Sequence, residues 1–325
     1  MKTVSILVPK TAVIEAVADP HYMFRAVNQF LMASGRPPLF HVQFVGATKD
    51  VKLENNFTIR TDRLLQDVHK TDLIFIPALS GDMKTAVNLN KKIVPWIVDQ
   101  YSKGAELASL CVGAFLLADT GLLNGRKCST HWGFFNEFRT MYPDVELVDG
   151  GIITEEHGIY SSGGANSYWN LLLYLVEKYT DRDTAILASK YFAIDIDRQS
   201  QNAFMMFKGQ KEHEDEEIKQ AQDFIEANYA EKLTVDMLAD KFAIGRRSFE
   251  RRFKKATNNT LIEYIQRVKI EAAKRSFETS RKNINEVMYD VGYTDTKAFR
   301  TVFKKITGLT PIEYRNKYNK PAVVA

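Results

Sequence analysis

A cysteine and a histidine twenty residues apart could supply the pair that covalent catalysis requires at a minimum. A predicted strand, Glu106–Leu110, runs directly into Cys111, and a predicted helix follows at Val112–Ala118. A thiol on such a sharp strand-to-helix turn is held as a nucleophile, and the helix N-terminus is expected to lower its pKa. His131, in the motif Thr-His-Trp, is the nearby base that a Cys–His pair needs.

The same turn also suits a binding pocket for a small molecule. Ser162 and Gly163 lie at the end of another predicted strand, where a glycine lets a ligand approach backbone N–H groups. The helix N-terminus at Val112 favours a carboxylate or carbonyl oxygen. We therefore predict that the effector is bound by Glu15, Cys111, Val112, His131, Ser162 and Gly163. Catalysis and simple binding both remain open on these residues alone.

The elements that must position these residues follow from the apolar pattern of the first two thirds of the chain. Strands are predicted at 4–8, 42–45, 73–76, 106–110, 146–147 and 151–154. Helices are predicted at 23–34, 83–100, 112–120, 132–141 and 165–179, with further helix over 183–207 interrupted at 194–201. This alternation predicts an α/β domain with a mostly parallel, flavodoxin-like sheet and helices on both faces. Sites in such folds lie at the carboxyl ends of the strands.

The last third of the chain contains a repeat. Residues 249–264 return as residues 299–314, with Phe-x-x-x-Phe-Lys-Lys and then Thr, Thr, Ile, Glu and Tyr in register. Such self-similarity indicates a duplicated module. In each copy a short helical segment ends at a glycine-containing break, and a second helix has two inward phenylalanines and a basic outer face. Helix, turn and basic helix form a helix-turn-helix pattern, so an all-α domain with two such units is predicted.

Positive charge is concentrated in this repeated part. Residues 218–320 contain 22 Lys and Arg against 13 Asp and Glu, although the whole chain has a net charge of only +4. A basic helix of this kind fits the major groove of double-stranded DNA. We expect base or groove contacts from Arg246, Arg247, Arg251, Lys297 and Arg300, and phosphate contacts from Lys254, Lys255, Lys304 and Lys305. A helix at roughly 262–279 is predicted to set the two recognition helices about 34 Å apart on one side of the duplex.

Length and composition limit the remaining choices. A chain of 325 residues suggests two domains, and the charged stretch 209–217 is predicted to link residues 1–208 to residues 218–320. Two cysteines favour a reducing cytoplasm over a disulfide framework. No apolar run reaches eighteen residues, and no Cys/His cluster has zinc spacing, so neither a membrane span nor a metal or other cofactor is predicted.

The C-terminal residues from about 218 to 318 resemble the AraC-type DNA-binding domain. The resemblance is strongest in the second copy, at Gly292–Asp295, Phe299, Phe303, Gly308, Thr310-Pro311 and Tyr314-Arg315. Met288 stands where that family usually has a small alanine, and Asn258 stands where it usually has glycine.

Six N-terminal segments resemble GlxA-type regulators, in which a ThiJ/PfpI-like domain of the class I glutamine amidotransferase-like fold precedes an AraC-type domain. They are Cys111–Ala118, Gly121–Arg126, Thr130–Trp132, Tyr160–Ala165, Leu173–Glu177 and Asp197–Gln201. The resemblance implies a homodimeric transcriptional regulator that senses a small-molecule effector, binds DNA and contacts RNA polymerase. It also implies no enzymatic activity, because Val112 occupies the place of the histidine in peptidase-like members. The alternative is a bifunctional protein with a Cys-dependent hydrolase, hydratase or amidase activity at Cys111 and His131.

Overall fold

The structure, a computed structural model, describes residues 1–53, 56–196, 200–211 and 213–319. It forms two compact units that divide between Gln201 and Asn202. The strands are Lys2–Leu7 (β1), Phe40–Gly46 (β2), Asp50–Lys52 (β3), Thr58–Arg60 (β4), Arg63–Leu64 (β5), Leu73–Ile76 (β6), Glu106–Ser109 (β7), Lys127–Cys128 (β8), Glu146–Leu147 (β9), Ile153–Glu156 (β10) and Ile159–Ser162 (β11). The helices of the first unit are Ile14–Ala33 (α1), Met83–Leu89 (α2), Val94–Ser102 (α3), Ala114–Ala118 (α4), Phe135–Met141 (α5), Tyr168–Tyr179 (α6) and Arg182–Tyr191 (α7). Those of the second are Glu216–Ala227 (α8), Val235–Lys241 (α9), Arg246–Thr257 (α10), Leu261–Thr279 (α11), Ile284–Asp290 (α12), Thr296–Thr307 (α13) and Pro311–Tyr318 (α14).

Seven strands of the first unit form one sheet in the order β10-β11-β7-β6-β1-β2-β5. All neighbours in it are parallel except β10 and β11, which pair antiparallel. The prediction of a mostly parallel sheet is therefore confirmed. The short pairs β3–β4 and β8–β9 lie outside this sheet.

Successive side chains of the central strands point to opposite faces of the sheet, and side chains pack on both faces. On one face Phe24 of α1 contacts Phe40 and Phe75, at ring-centroid distances of 4.7 and 5.5 Å. Ser5 points to the other face, because successive side chains of a strand alternate. There its hydroxyl donates to Thr71 Oγ1 (2.9 Å) and accepts from Gln43 Nε2 (3.1 Å). This buried polar group is thus satisfied beneath α3, as packing requires.

Several predicted boundaries in the first unit were wrong. Helix α1 begins at Ile14 rather than 23, because Pro20 lies within the helix instead of preceding it. The helix predicted at 83–100 is two helices, since the Asn90 amide bonds the backbone of Lys10 and Ala86 and ends the first. The helix predicted over 183–207 ends at Tyr191. Of the segment 194–201, residues 197–199 lie outside the described part of the chain.

The second unit has two hydrophobic cores that share helix α11. Its first half contributes Leu261, Tyr264 and Val268 to the core around Phe249 and Phe253. Its second half contributes Ile270, Ala273 and Phe277 to the core around Phe299 and Phe303. At 19 residues the helix is about 28 Å long, long enough to connect both copies of the repeat without a break.

Residues 202–211, which we call the strap, cross the second unit, beginning with a single 3₁₀ turn at Asn202–Phe204 and continuing without regular secondary structure. Lys274 Nζ donates to Met205 O, and Gln222 Nε2 donates to Gln210 O at 2.7 Å. Phe207 donates its N–H to Glu271 Oε2 at 3.0 Å. These bonds assign residues 202–208 to the second unit, ahead of the predicted linker at 209–217. No helix in the described residues is long and apolar enough to cross a membrane.

The turn before α13 is held by a buried lysine. Lys269 Nζ donates to Glu231 O at 3.1 Å and to Val291 O at 3.0 Å, and burial lowers its pKa. Gly292 lies beside it with φ +74°, where a Cβ atom would be 2.1 Å from Ala230 O and 2.6 Å from Lys269 Nζ. Only glycine therefore fits this turn.

We predict that Gly292→Ala lowers the free energy of unfolding by about 2–5 kcal/mol. About 1–2 kcal/mol comes from the left-handed backbone and about 1–3 kcal/mol from overpacking. Gly245→Ala is the control, because Gly245 precedes α10 with no neighbour within 4 Å of its Cβ position and a negative φ. It should cost less than about 1 kcal/mol. Equal losses for both variants in urea unfolding would contradict this account of the turn.

Candidate functional site

Cys111 occupies a strained turn at the carboxyl end of β7. Its φ is +54°, in the left-handed region that non-glycine residues seldom adopt. A single 3₁₀ turn, Cys111–Gly113, then leads into α4. Gly113 permits this path, because a Cβ there would be 2.4 Å from Ile76 O. The sharp strand-to-helix turn expected at Cys111 is confirmed.

The chemistry expected of the thiol does not follow from this geometry. Cys111 is only 6% exposed, and burial raises its pKa to about 12, so the prediction of a lowered pKa was wrong. Helix α4 has five residues, too few for a strong N-terminal dipole. The backbone N–H of Cys111 already donates to Ser162 Oγ at 3.3 Å. At neutral pH the group is a protonated thiol.

His131 is arranged as a structural residue rather than as a base for Cys111. Its Nδ1 accepts the N–H of Gly133 at 3.0 Å, and its ring stacks on Trp132 with centroids 5.3 Å apart. Burial lowers its pKa, which favours the neutral ring. The neighbouring Thr130 contacts the cysteine instead, donating from Oγ1 to Cys111 O at 3.1 Å.

Tyr168, a residue that the sequence analysis missed, connects the cysteine turn to the acidic residues of α1. Its hydroxyl donates to Asp19 Oδ2 at 2.6 Å. Its pKa is raised by burial, by the hydrogen bond to Asp19 and by the charges of Asp19, Glu15 and Cys111. Burial, together with the charge of Glu15, raises the pKa of Asp19. The structure thus brings Glu15 and Cys111 to the same region through Tyr168, a tyrosine that follows no recognisable motif.

Gly163 allows close packing beside the cysteine turn. A Cβ at this position would be 2.2 Å from Gln201 Nε2 and 2.8 Å from Thr130 O. Gln201 is buried, donates to Thr130 O at 3.0 Å and to Gly151 O at 3.1 Å, and accepts the N–H of Trp132 at 3.3 Å. It therefore joins three loops around the cysteine turn, a role that only long-range contacts reveal.

The predicted DNA-binding residues lie on α10 and α13, and all nine side chains are exposed. Arg246 forms an ion pair with Asp236 at 3.0 Å. The other eight have no ion pair among the described residues. They are Arg247, Arg251, Lys254, Lys255, Lys297, Arg300, Lys304 and Lys305. A groove of about 480 Å³ beside α10 is lined by Arg247, Arg251 and Lys254 together with the first residues of α11.

The two recognition helices end in the same way. Thr257 and Thr307 each donate from Oγ1 to the carbonyl four residues earlier at 2.8 Å. The next residues, Asn258 and Gly308, are left-handed with φ +55° and +76°. Asn258 thus adopts the conformation for which the AraC-type family is expected to use glycine, as asparagine readily can.

Comparison with known proteins supports both halves of this description. Residues 238–317 match the helix-turn-helix domain family, and residues 23–178 match the DJ-1/PfpI family. The HTH-type transcriptional regulator ArgR of Pseudomonas aeruginosa is 25% identical over 215 residues, which cover 66% of this chain and 65% of ArgR. The chain therefore spans a little less than two thirds of that relative's length.

A second relative and a solved structure extend the comparison. The HTH-type transcriptional regulator CdhR of Pseudomonas aeruginosa is 21% identical over 266 residues, 82% of this chain and 78% of CdhR. The crystal structure of an AraC family transcriptional regulator from Pseudomonas putida superposes with a TM-score of 0.50 at 16% identity. It covers 59% of this chain and 100% of its own, a likeness of fold alone.

The first unit is a mostly parallel sheet with helices on both faces, and the second unit contains two helix-turn-helix motifs. The class of protein is therefore a two-domain protein whose second domain is of a nucleic-acid-binding type. The two matches, a DJ-1/PfpI segment followed by a helix-turn-helix segment, occur in the order that the sequence predicted. This combination confirms the resemblance recognised in the sequence.

We predict that Cys111 is alkylated slowly in the native protein. Its pKa of about 12, against an ordinary value of 9.0, lowers the thiolate fraction at pH 8 by roughly 10³-fold. Iodoacetamide labelling followed by peptide mapping distinguishes Cys111 from Cys128, and the urea-unfolded chain is the reference. Labelling should accelerate with pH up to about 12. Rapid labelling of Cys111 that levels off near pH 7 would show an activated thiol.

Proposed function

We propose that this protein is a sequence-specific DNA-binding transcriptional regulator controlled by a small-molecule effector bound in its first unit. The observation that carries the proposal is the basic face of α10 and α13. Eight exposed Lys and Arg side chains lie there without ion pairs among the described residues, and six of them occupy equivalent positions of the two repeated helices. Unpaired cations on a recognition helix are available for phosphates and base edges.

The two kinds of contact are assigned by position on each helix. Arg247, Arg251, Lys297 and Arg300 lie in the first two turns of their helices, the part that enters the groove in helix-turn-helix proteins. The lysine pairs 254–255 and 304–305 lie in the last turns and are assigned to phosphates. Arg246 is shared with Asp236, so its contact with DNA requires that ion pair to open.

In the first unit, we assign effector binding to the region around Cys111, Ser162 and the acidic residues near Tyr168. The proposal includes no catalytic step, because the thiol is buried and protonated and His131 bonds elsewhere. We further propose that this unit forms the homodimer, that the protein contacts RNA polymerase, and that it acts in the cytoplasm. The transcriptional regulators that resemble the chain support a role in transcription.

A Cys-dependent hydrolase, hydratase or amidase is the second candidate. It is favoured by one observation, the left-handed turn at Cys111 with the carboxyl groups of Asp19 and Glu15 close to Tyr168. Strained backbone conformations of this kind concentrate at functional sites. Activity would require a proton acceptor to lower the thiol pKa when substrate binds.

We predict that Lys254→Gln and Lys304→Gln weaken binding to all DNA sequences alike. Each should lower the slope of log K against log salt by about one, because one phosphate contact is lost. Arg300→Gln should instead relax the preference at one base pair, at a cost of roughly 1–3 kcal/mol. Lys92→Gln is the control, since it removes one exposed positive charge from the first unit. Unchanged salt slopes and sequence preferences in the first three variants would mean that the basic face is only solvated surface.

We predict that Cys111→Ser retains effector binding and that no substrate is turned over. Serine keeps the volume and the hydrogen-bonding capacity of the buried side chain. A metabolite library screened by thermal shift identifies ligands of the wild-type protein, and each hit is repeated on Cys111→Ser and on Tyr168→Phe. Tyr168→Phe should reduce the shift, because it removes one hydrogen bond that holds the half-buried Asp19 carboxylate. If mass spectrometry detects a reaction product of a hit compound with the wild-type protein but not with Cys111→Ser, the Cys-dependent enzyme would be favoured.

A further inference from the structure

A cavity of about 590 Å³ lies in the second unit between the strap and two helices. Phe207, Lys208 and Gly209 of the strap form one wall, the end of α8 with Tyr229 forms another, and α11 forms the floor. The volume is within the range of small-molecule sites, about 300–1,000 Å³. The cavity lies on the strap side of α11 and shares no lining residue with the groove beside α10.

Apolar and polar side chains both line this cavity, and the apolar ones lie together on its floor. Val268 and Ala272 come from successive turns of α11, and the rings of Phe207 and Tyr229 flank them. Phe207 is fixed, because its ring packs edge-on against Tyr264 with centroids 5.1 Å apart. A ligand body seated on Val268 and Ala272 would be apolar, and the hydroxyl groups of Ser276 and Thr279 lie further along the same helix.

The charged groups at the rim determine whether an anionic or a cationic ligand is favoured. Glu226 already accepts from Lys211 Nζ (2.7 Å) and from Tyr264 OH (2.6 Å). Glu271 accepts from Lys274 Nζ (2.8 Å) and from the N–H of Phe207. Lys211 is shared between Glu226 and Asp223, at 2.7 Å from each, and Glu271 is paired with Lys274, so these charges already have partners within the protein.

Two cations at the rim remain available. Lys208 on the strap and Arg275 on α11 are exposed, and neither has an ion pair among the described residues. Arginine binds a carboxylate through two parallel hydrogen bonds. The rim therefore favours an anion above an apolar floor.

We propose that this cavity binds a small organic carboxylate with an apolar body. The acid group lies between Arg275 and Lys208, and the body packs on Val268 and Ala272 beneath the ring of Phe207. Because Lys208 and Phe207 belong to the strap, an occupant fastens the strap to α11. The site is separate from the effector region near Cys111 and does not rest on the DNA-binding proposal.

The test uses the full-length protein and 8-anilinonaphthalene-1-sulfonate, a fluorescent probe with one anionic group and an apolar body. We expect saturable binding of one probe per chain and displacement by octanoate but not by octylamine. Ala272→Trp should abolish probe binding by filling the floor. The double substitution of Lys208→Gln and Arg275→Gln should weaken it about tenfold or more, whereas the control Arg63→Gln, on the first unit, should leave it unchanged.

The outcomes separate clearly. Thermal unfolding of each variant checks that it folds. If Ala272→Trp fails to fold, the Lys208/Arg275 double variant still tests the proposal, because both of its altered side chains are exposed. Absence of saturable binding, equal displacement by octylamine, or binding unaffected by the Lys208/Arg275 double variant would overturn the proposal.

Discussion

Both halves of the second unit depend on the burial of one helix. Leu261 and Tyr264 at the start of α11 complete the first core, and Ala273 and Phe277 near its end complete the second. A change in the direction of α11 must therefore move both recognition helices, because tightly packed interiors transmit displacement. Lys269, at the middle of the helix, adds a polar constraint by bonding the carbonyls of Glu231 and Val291. The shared helix α11, more than direct contact between the two halves, makes them move together.

The strap is bound to equivalent positions of the two repeated halves of the second unit. Tyr264 bonds Glu226 as Tyr314 bonds Glu278, so residues of α8 correspond to residues of α11 fifty-two positions later. By that correspondence Gln222 is equivalent to Lys274, and both buried side chains donate to carbonyl groups of the strap. The segment that follows the first unit is thus held at matching points of both halves. A pull on the strap would reach both cores.

The parts of the fold that local pattern determines were predictable, and the rest depended on distant contacts. The repeat, the strand at 73–76 and the connecting helix near 262–279 follow from periodicity, and the structure has them at nearly those bounds. The start of α1 was missed because Pro20 is tolerated inside a helix whose neighbours pack well. At the candidate site, the turn at Cys111 was foreseen but its pKa was not, since burial depends on the whole fold. Tyr168 and Gln201 approach that turn from residues more than fifty positions away, and no local signal marks them.

The two copies of the repeat are alike where they are buried and differ at several exposed positions of their recognition helices. Their phenylalanines, threonine caps and closing tyrosines coincide, whereas Glu250 on α10 corresponds to Arg300 on α13 and Arg251 corresponds to Thr301. Packing constrains the first set, but nothing in the fold constrains the second. A glutamate accepts from cytosine and an arginine donates to guanine, so the two faces present different hydrogen-bonding groups to the bases of the major groove. On the proposed function, the DNA site therefore consists of two unequal halves, each read by one copy, and their relative placement is set by the rigid α11 between them.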